Sequence, residues 1–179
     1  MNKSEIRKKI LKIRKNNYTK NLKINFKHIL KILKKEKIKD KIVGGYYPYN
    51  HEINTIEILN KFEKKNYTIL MPKIKKNYQM DFFNWSKKDP LVINKYGIPE
   101  PDSENIKYPS ILLVPLVAFD THLNRIGYGG GFYDRYIRRI KKIKKIITIG
   151  LAFSFQKIKK IPINKHDIKL DFIVTEKKS

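Results

Sequence analysis

No cysteine occurs among the 179 residues, which excludes a disulfide framework, a thiolate metal site and a cysteine nucleophile together. No apolar run approaches the roughly 20 residues needed to cross a bilayer. The start, Met1-Asn-Lys-Ser-Glu-Ile-Arg7, lacks the apolar core of a secretory signal. A soluble, cytoplasmic protein with no membrane partner is therefore expected. Acidic residues are also scarce, 16 against 41 basic ones, which leaves a formal net charge of +25. Arginine is scarce within that excess: only Arg7, Arg14, Arg125, Arg135, Arg138 and Arg139 occur, and the remaining 35 basic residues are lysine. Proteins that read nucleic acid lean on arginine for bidentate and stacked contacts. Here lysine is spread along nearly every segment beside abundant Ile, Asn, Tyr and Phe, a pattern that A/T-rich coding produces. No specific nucleic-acid partner is expected. The positive field should instead draw in polyanionic small molecules in a salt-dependent way.

What is present suits one domain spanning residues 1–179 with a full core. Ile6, Ile10 and Ile13 recur at helical spacing in 3–15, before Asn16-Asn17, and Leu22, Phe26, Ile29, Leu30 and Leu33 predict a second helix over 19–37. From Ile42 onward, apolar strand-like runs alternate with helical patterns: 42–49 reads as a short strand ending in a loop, strands are expected at 67–72, 111–119, 145–153 and 172–175, and an edge strand at 79–85. Helices are expected from Asn54-Thr55 and over 133–143. Residues 94–102, with one glycine and two prolines, read as an irregular loop. The alternation predicts an α/β fold, a layered and mainly parallel sheet flanked by helices on both faces. Ligands in such sheets collect beyond strand ends. Three candidate clusters lie near strand ends: after Tyr46, after Phe119 and before Phe172.

The densest of them is Arg125-Ile-Gly-Tyr-Gly-Gly-Gly-Phe-Tyr-Asp-Arg135, between a buried run and a helix start. Glycines let successive backbone N–H groups turn toward one point, and a helix N-terminus adds partial positive charge, so the stretch reads as a seat for phosphate or, in the plainer reading, a flexible turn. Arg125 and Arg135 favour the phosphate, because guanidinium groups match its oxygens bidentately. Asp134 suits Mg²⁺ beside a phosphate, and equally a first-turn charge that complements the helix dipole. The stretch is neither a Walker A loop nor a full dinucleotide fingerprint, since Phe132 stands where the closing glycine would fall.

Elsewhere, Lys3 and Arg7 are four apart and share a helix face, either solvated or holding an anion. Glu52 follows Tyr47-Pro-Tyr49 just before a helix, where it is a helix-start charge or a bidentate acceptor. Asp167 and Asp171, also four apart, would share one face of a helix or strand. His28 reads as an exposed or hydrogen-bonded histidine, and His166 as a neighbour and not a ligand, since Mg²⁺ prefers oxygen.

Val114-Pro115, Phe119-Asp120 and the 125–135 stretch closely resemble the signature of the 5-formyltetrahydrofolate cyclo-ligase family, and the likeness extends to Lys3-x-x-x-Arg7, Glu52-Ile-Asn-Thr55, Gly97-Ile-Pro-Glu-Pro101 and Gln156. Leu123 departs from the pattern, which more usually has glycine there, and Asn124 is expected to supply the positive-φ turn instead. The resemblance implies the layered fold shared with ribose-5-phosphate isomerase and CoA transferases. It also implies ATP- and Mg²⁺-dependent cyclisation of 5-formyltetrahydrofolate, polyglutamylated forms included; a monomer is expected. By resemblance, Arg125 and Asp134 are catalytic. Lys3, Ser4, Glu5, Ile6, Arg7 and the run Arg125, Ile126, Gly127, Tyr128, Gly129, Gly130, Gly131, Phe132 and Tyr133 hold ATP. Tyr47, Glu52, Tyr128, Gly129, Gly130, Gly131 and Phe132 meet the folate, with Glu52 on the pterin edge, and Asp134 and Asp167 hold Mg²⁺. Two other classes compete: a basic nucleic-acid-binding protein, and an isomerase or acyl-transfer enzyme of the same fold, for which no base or glutamate nucleophile stands out.

Overall fold

The computed structural model describes residues 1–177; Lys178 and Ser179, part of a polar tail expected from Glu176, lie outside the described residues. Helix α1 (Lys3–Asn17) begins at a capping box: Asn2 accepts from the Ser4 and Glu5 amides while Glu5 accepts from the Asn2 amide at 2.9 Å. It runs through Asn16 and Asn17 and stops only where Tyr18 turns extended. Helix α2 (Phe26–Lys35) is much shorter than 19–37, because Asn25 caps it by accepting from the Lys27 amide at 3.0 Å. Leu22 and Ile24 still reach the core, from a non-helical lead-in.

The order continues with β1 (Ile42–Gly44), α3 (Thr55–Glu63), β2 (Thr68–Ile74), β3 (Met80–Asn84), β4 (Leu91–Ile93), β5 (Pro99–Pro101), β6 (Ile111–Pro115), β7 (Ala118–Phe119), β8 (Arg125–Ile126), α4 (Phe132–Ile140), β9 (Ile147–Leu151), a 3-10 turn (Ser154–Gln156) and β10 (Phe172–Val174). Six strands form one sheet in the order β10-β9-β6-β1-β2-β3, parallel except for the β2–β3 pair at one edge. This is the expected layered α/β fold. Strand β6 shows why both faces are covered: Ile111 and Leu113 face the α2–α3 layer, Leu112 and Val114 the layer made by α4. Helix α1 lies across one end, its Ile6 and Ile10 packed on Val117, Ala118, Ile126 and Ile161.

Three local expectations are corrected. The 94–102 loop contains β5, paired antiparallel with β4, and its prolines are tolerated because this two-stranded ribbon has open edges. Glu100, buried in it, accepts from the Ile74 amide at 3.2 Å and from Asn94 at 3.0 Å, a structural role. The apolar run 111–119 is split, since Gln156 donates to the Leu116 and Val117 carbonyls at 3.0 and 2.9 Å and holds the chain out of the ladder. Asp167 and Asp171 share neither a helix nor a strand face: Asp171 turns back to accept from the Thr148 amide and hydroxyl at 2.8 and 2.7 Å.

Candidate active site

The glycine stretch leaves β8 and ends at α4, whose N-cap is Gly131 in the left-handed region, φ +66°. Gly129 is also left-handed, at φ +109°. Both conformations are open to glycine at little cost. No side chain caps the first turn of α4, so its amides are left to an outside acceptor. Arg135 folds back over the loop, its guanidinium bonded to the Gly130 carbonyl and, through Nε, to that of Tyr78 at 3.1 Å.

Two distant segments are tied to this loop. Arg125 lies buried with Nη1 3.0 Å from Asp134 Oδ1 and donates to the Ile168 carbonyl at 2.8 Å, and Asp134 Oδ1 accepts from the Ile168 amide at 3.0 Å. Thus the two residues expected to be catalytic form an ion pair that grips the 167–168 segment. Next to it, Lys3 pairs with Asp167, and Arg7 Nε donates to the Gly127 carbonyl at 2.7 Å. Burial pushes the Asp167 carboxyl up, but Lys3, the Asn164 amide and the Arg125 charge outweigh it and hold Asp167 below the usual carboxylate range. Asp134 spends only Oδ1 and Asp167 only Oδ2 on these partners, so each keeps a second oxygen without a hydrogen-bond partner among the described residues. No group of three or more His, Asp or Glu residues is gathered for a metal among the described residues. Two hard oxygen donors are nonetheless a set Mg²⁺ accepts when water and phosphate complete its shell. Ser4 and Glu5 belong to the helix cap, whereas the side chains of Ile6 and Ile126 are core.

The turn that delivers Arg125 is built by Asp120, whose buried carboxylate accepts from the amides of His122, Asn124 and Ile161 at 2.9, 3.1 and 3.0 Å, and from the Asn124 side chain. Asn124 therefore does not supply the positive-φ turn. Leu123 does, at φ +64°, since Asn124 is held by Asp120 on both sides of its amide. The 166–171 segment also enters β10 from the strand's amino end, and it reaches the loop through Asp167 and Ile168 instead of through a strand terminus.

A second cluster follows β1. Asn50 and His51 both take positive φ, +46° and +60°, and the Glu52 amide donates to the Tyr49 carbonyl at 3.1 Å, closing a tight turn. Its reciprocal bond, from the Tyr49 amide to Glu52 Oε2 at 2.9 Å, leaves Glu52 Oε1 buried without a partner. Burial pushes the Glu52 carboxyl up to about 7, against the Tyr49 amide, Arg14 and Tyr128, which pull it down. An open cleft of about 450 Å³ lies beside it, lined by Tyr18, Tyr47, Pro48, His51, Glu52, Asn54 and Ile56, with the Tyr18 and His51 rings 5.2 Å apart. Tyr133, next to Asp134, also has a buried, unpartnered hydroxyl.

The two clusters meet through Tyr128, whose ring stands 5.8 Å from Tyr49 and whose hydroxyl lies 3.4 Å from the Tyr49 carbonyl. The residue behind that junction, Arg14, escaped the sequence reading, as did Asp120's role in the turn. The signal was available: Ile6, Ile10 and Arg14 recur every four residues, so Arg14 sits on the apolar stripe of α1, where a solvated cation does not belong.

The 5-formyltetrahydrofolate cyclo-ligase family model matches residues 1–176. A 5-formyltetrahydrofolate cyclo-ligase of Haemophilus influenzae is 30% identical over 151 residues, covering 80% of this chain and 79% of that protein. The Escherichia coli K12 protein of the same name is 29% identical over 143 residues, 76% of this chain and 78% of its own. The solved structure of Aquifex aeolicus 5,10-methenyltetrahydrofolate synthetase superposes with a TM-score of 0.80 at 30% identity, covering 99% of this chain and 91% of that one. The fold likeness extends to the Mycoplasma pneumoniae 5,10-methenyltetrahydrofolate synthetase, with a TM-score of 0.77, 24% identity, and coverage of 99% and 100%. With a full-length family match laid over this sheet and these two joined clusters, the chain is an enzyme of the 5-formyltetrahydrofolate cyclo-ligase family.

Proposed function

We propose that this chain closes 5-formyltetrahydrofolate to 5,10-methenyltetrahydrofolate at the expense of ATP, releasing ADP and phosphate, as a cytoplasmic monomer that also accepts polyglutamylated folate. The observation that carries this reading is the convergence of Lys3–Arg7, Arg125–Asp134 and Asp167–Ile168 on one glycine loop that touches the Glu52 turn through Tyr128 and Tyr49.

An amide-type oxygen is a poor leaving group at neutral pH. Transfer of the terminal phosphoryl group to the formyl oxygen makes it a good one; the second folate nitrogen then attacks the formyl carbon, loses its proton, and phosphate departs. Such transfer asks for alignment and charge neutralisation, not for a protein nucleophile. Arg7, the glycine-loop amides and the open first turn of α4 seat the triphosphate. Asp134 and Asp167 would hold Mg²⁺, each having one oxygen free of other partners among the described residues, while Lys3 and Arg125 fix the two carboxylates. When bound, Mg²⁺ supplies charge to the phosphate oxygens. Glu52 Oε1 takes the N–H edge of the pterin, to which an ionised carboxylate is matched. Tyr47 lines the neighbouring cleft.

The test is to mix the protein with ATP, Mg²⁺ and 5-formyltetrahydrofolate and follow the absorbance of the methenyl product. Asp134→Asn is expected to cut turnover by about 100-fold or more while leaving folate binding largely intact. Undiminished turnover in that variant removes the role given to Asp134, and a wild-type chain that forms no product removes the reading.

A further inference from the structure

Arg14 is the one arginine sealed in the interior of α1's packing face, 1% exposed, although it belongs to neither of the two clusters by sequence. Burying a guanidinium is costly unless its donors are used. Two are: Nη1 donates to the Leu116 carbonyl at 3.3 Å, at the exit of β6, and Nη2 donates to the Tyr128 hydroxyl, with the guanidinium carbon 5.7 Å from the centre of the Tyr128 ring. Nε has no partner. A residue kept only for packing would be replaced at no loss by an apolar one, whereas here a full charge is held beside Tyr128, the aromatic that joins the glycine loop to the Glu52 turn.

We propose that Arg14 is a positioning residue: by clamping the Tyr128 hydroxyl against the Tyr49 carbonyl it holds the glycine loop and the Glu52 turn in one register. The chain of contacts is continuous. Arg14 donates to Tyr128, Tyr128 reaches the Tyr49 carbonyl at 3.4 Å, and the Tyr49 amide donates to Glu52 at 2.9 Å. Glu52 is faced by Arg14 from α1, Tyr128 from the glycine loop, Tyr133 from α4 and Tyr46 from the exit of β1, with His51 beside it at the cleft. Of these only Arg14 is a fixed positive charge, and it acts to lower the Glu52 carboxyl that burial raises. The inference rests on the reading of the site given above.

The experiment compares wild type, Arg14→Lys, Arg14→Met and Tyr128→Phe in the methenyl-forming assay across pH, with saturating and limiting folate. Arg14→Met keeps an unbranched apolar stem as far as the position of Nε and removes the guanidinium head with its charge. It is expected to raise KM for 5-formyltetrahydrofolate about tenfold or more, with a much smaller change in KM for ATP. It should also move the acidic limb of kcat/KM for folate upward by about half a unit or more, with Arg14→Lys recovering part of that limb. Tyr128→Phe leaves Arg14 in place and removes its partner, so it should show the KM defect without the full limb shift; it carries the test if Arg14→Met does not fold. An active wild type whose variants leave folate KM and the acidic limb unmoved makes Arg14 a packing residue and overturns the proposal alone. A wild type with no turnover removes the functional reading first and the proposal with it.

Discussion

Glu52 shows most clearly how one residue can be set against the stability of the fold. Its carboxyl rises from an ordinary 4.5 to about 7 because burial disfavours the charge, more than the Tyr49 amide, Arg14 and Tyr128 favour it. The folded state thus holds the proton more tightly than the unfolded chain does. The corresponding stability is present in full below about pH 4.5 and is lost as pH rises through about 7. Glu52→Gln is neutral at every pH, so at pH 8 it should stabilise the protein by about 1–3 kcal/mol in a denaturant titration, with the gain fading toward pH 5. In the same variant folate binding should weaken by about tenfold, because the charged acceptor at Oε1 is gone. A stability gain that did not depend on pH would mean the carboxylate is not strained by burial. At this scale the sequence was informative about residue types and silent about pairing: Glu52, Asp134, Asp167, Lys3 and Arg125 were all singled out, yet nothing in their spacing says that Arg125 faces Asp134 or that Lys3 faces Asp167.

Among the elements, the strand–turn–glycine loop–helix unit from β7 to α4 is the one whose geometry the site depends on. Asp120 anchors its first turn and Gly131 its last. Burial alone would raise the Asp120 carboxyl, but bonds from Asn124 and from the Ile161, Asn124 and His122 amides hold it below the usual carboxylate range, so its support is lost as the medium becomes strongly acid. At Gly131 a Cβ would sit 2.8 Å from Arg135 Nη1, in a conformation of φ +66° that alanine enters at a cost of about 1–2 kcal/mol. Gly131→Ala should lower the unfolding temperature and raise KM for ATP together, as Arg135 is pushed off the loop. Gly97→Ala is the control, left-handed at φ +73° with open space around it, and should lose stability without a change in KM for ATP. Equal KM values in the two variants would separate the loop from nucleotide binding.

Over the whole molecule, the net charge of +25 acts at a distance that no single contact describes. Its pairing is sparse: the acidic residues form ion pairs such as Lys73–Glu104 at 2.9 Å and Lys75–Asp81 at 2.7 Å, and among the described residues most lysines have none to match. A positive surface should speed the arrival of ATP and of polyglutamylated folate. Raising salt from about 0.05 to about 0.5 M shrinks the screening length severalfold, so KM for ATP is expected to rise with salt while kcat stays nearly level. Nucleic acid should be retained only weakly and without sequence preference, and be released over the same range. Sequence-selective retention at high salt would revive the nucleic-acid class that the shortage of arginine argued against.

Read alone, the sequence determined the alternation of buried strands and helices, the glycine loop before α4, and the residue types of both clusters, because these follow from local periodicity and from the demands of φ and phosphate chemistry. It also carried the family likeness in long motifs that depart from the pattern at Leu123. Only the tertiary structure decided where α2 begins, that 99–101 forms a strand, that Leu123 and not Asn124 takes the left-handed turn, and that Arg14 stands behind Tyr128. Each of those outcomes depends on partners far along the chain, and the free energy of a cap, a ladder or a buried charge is settled by which group arrives opposite it, which no short stretch of sequence contains.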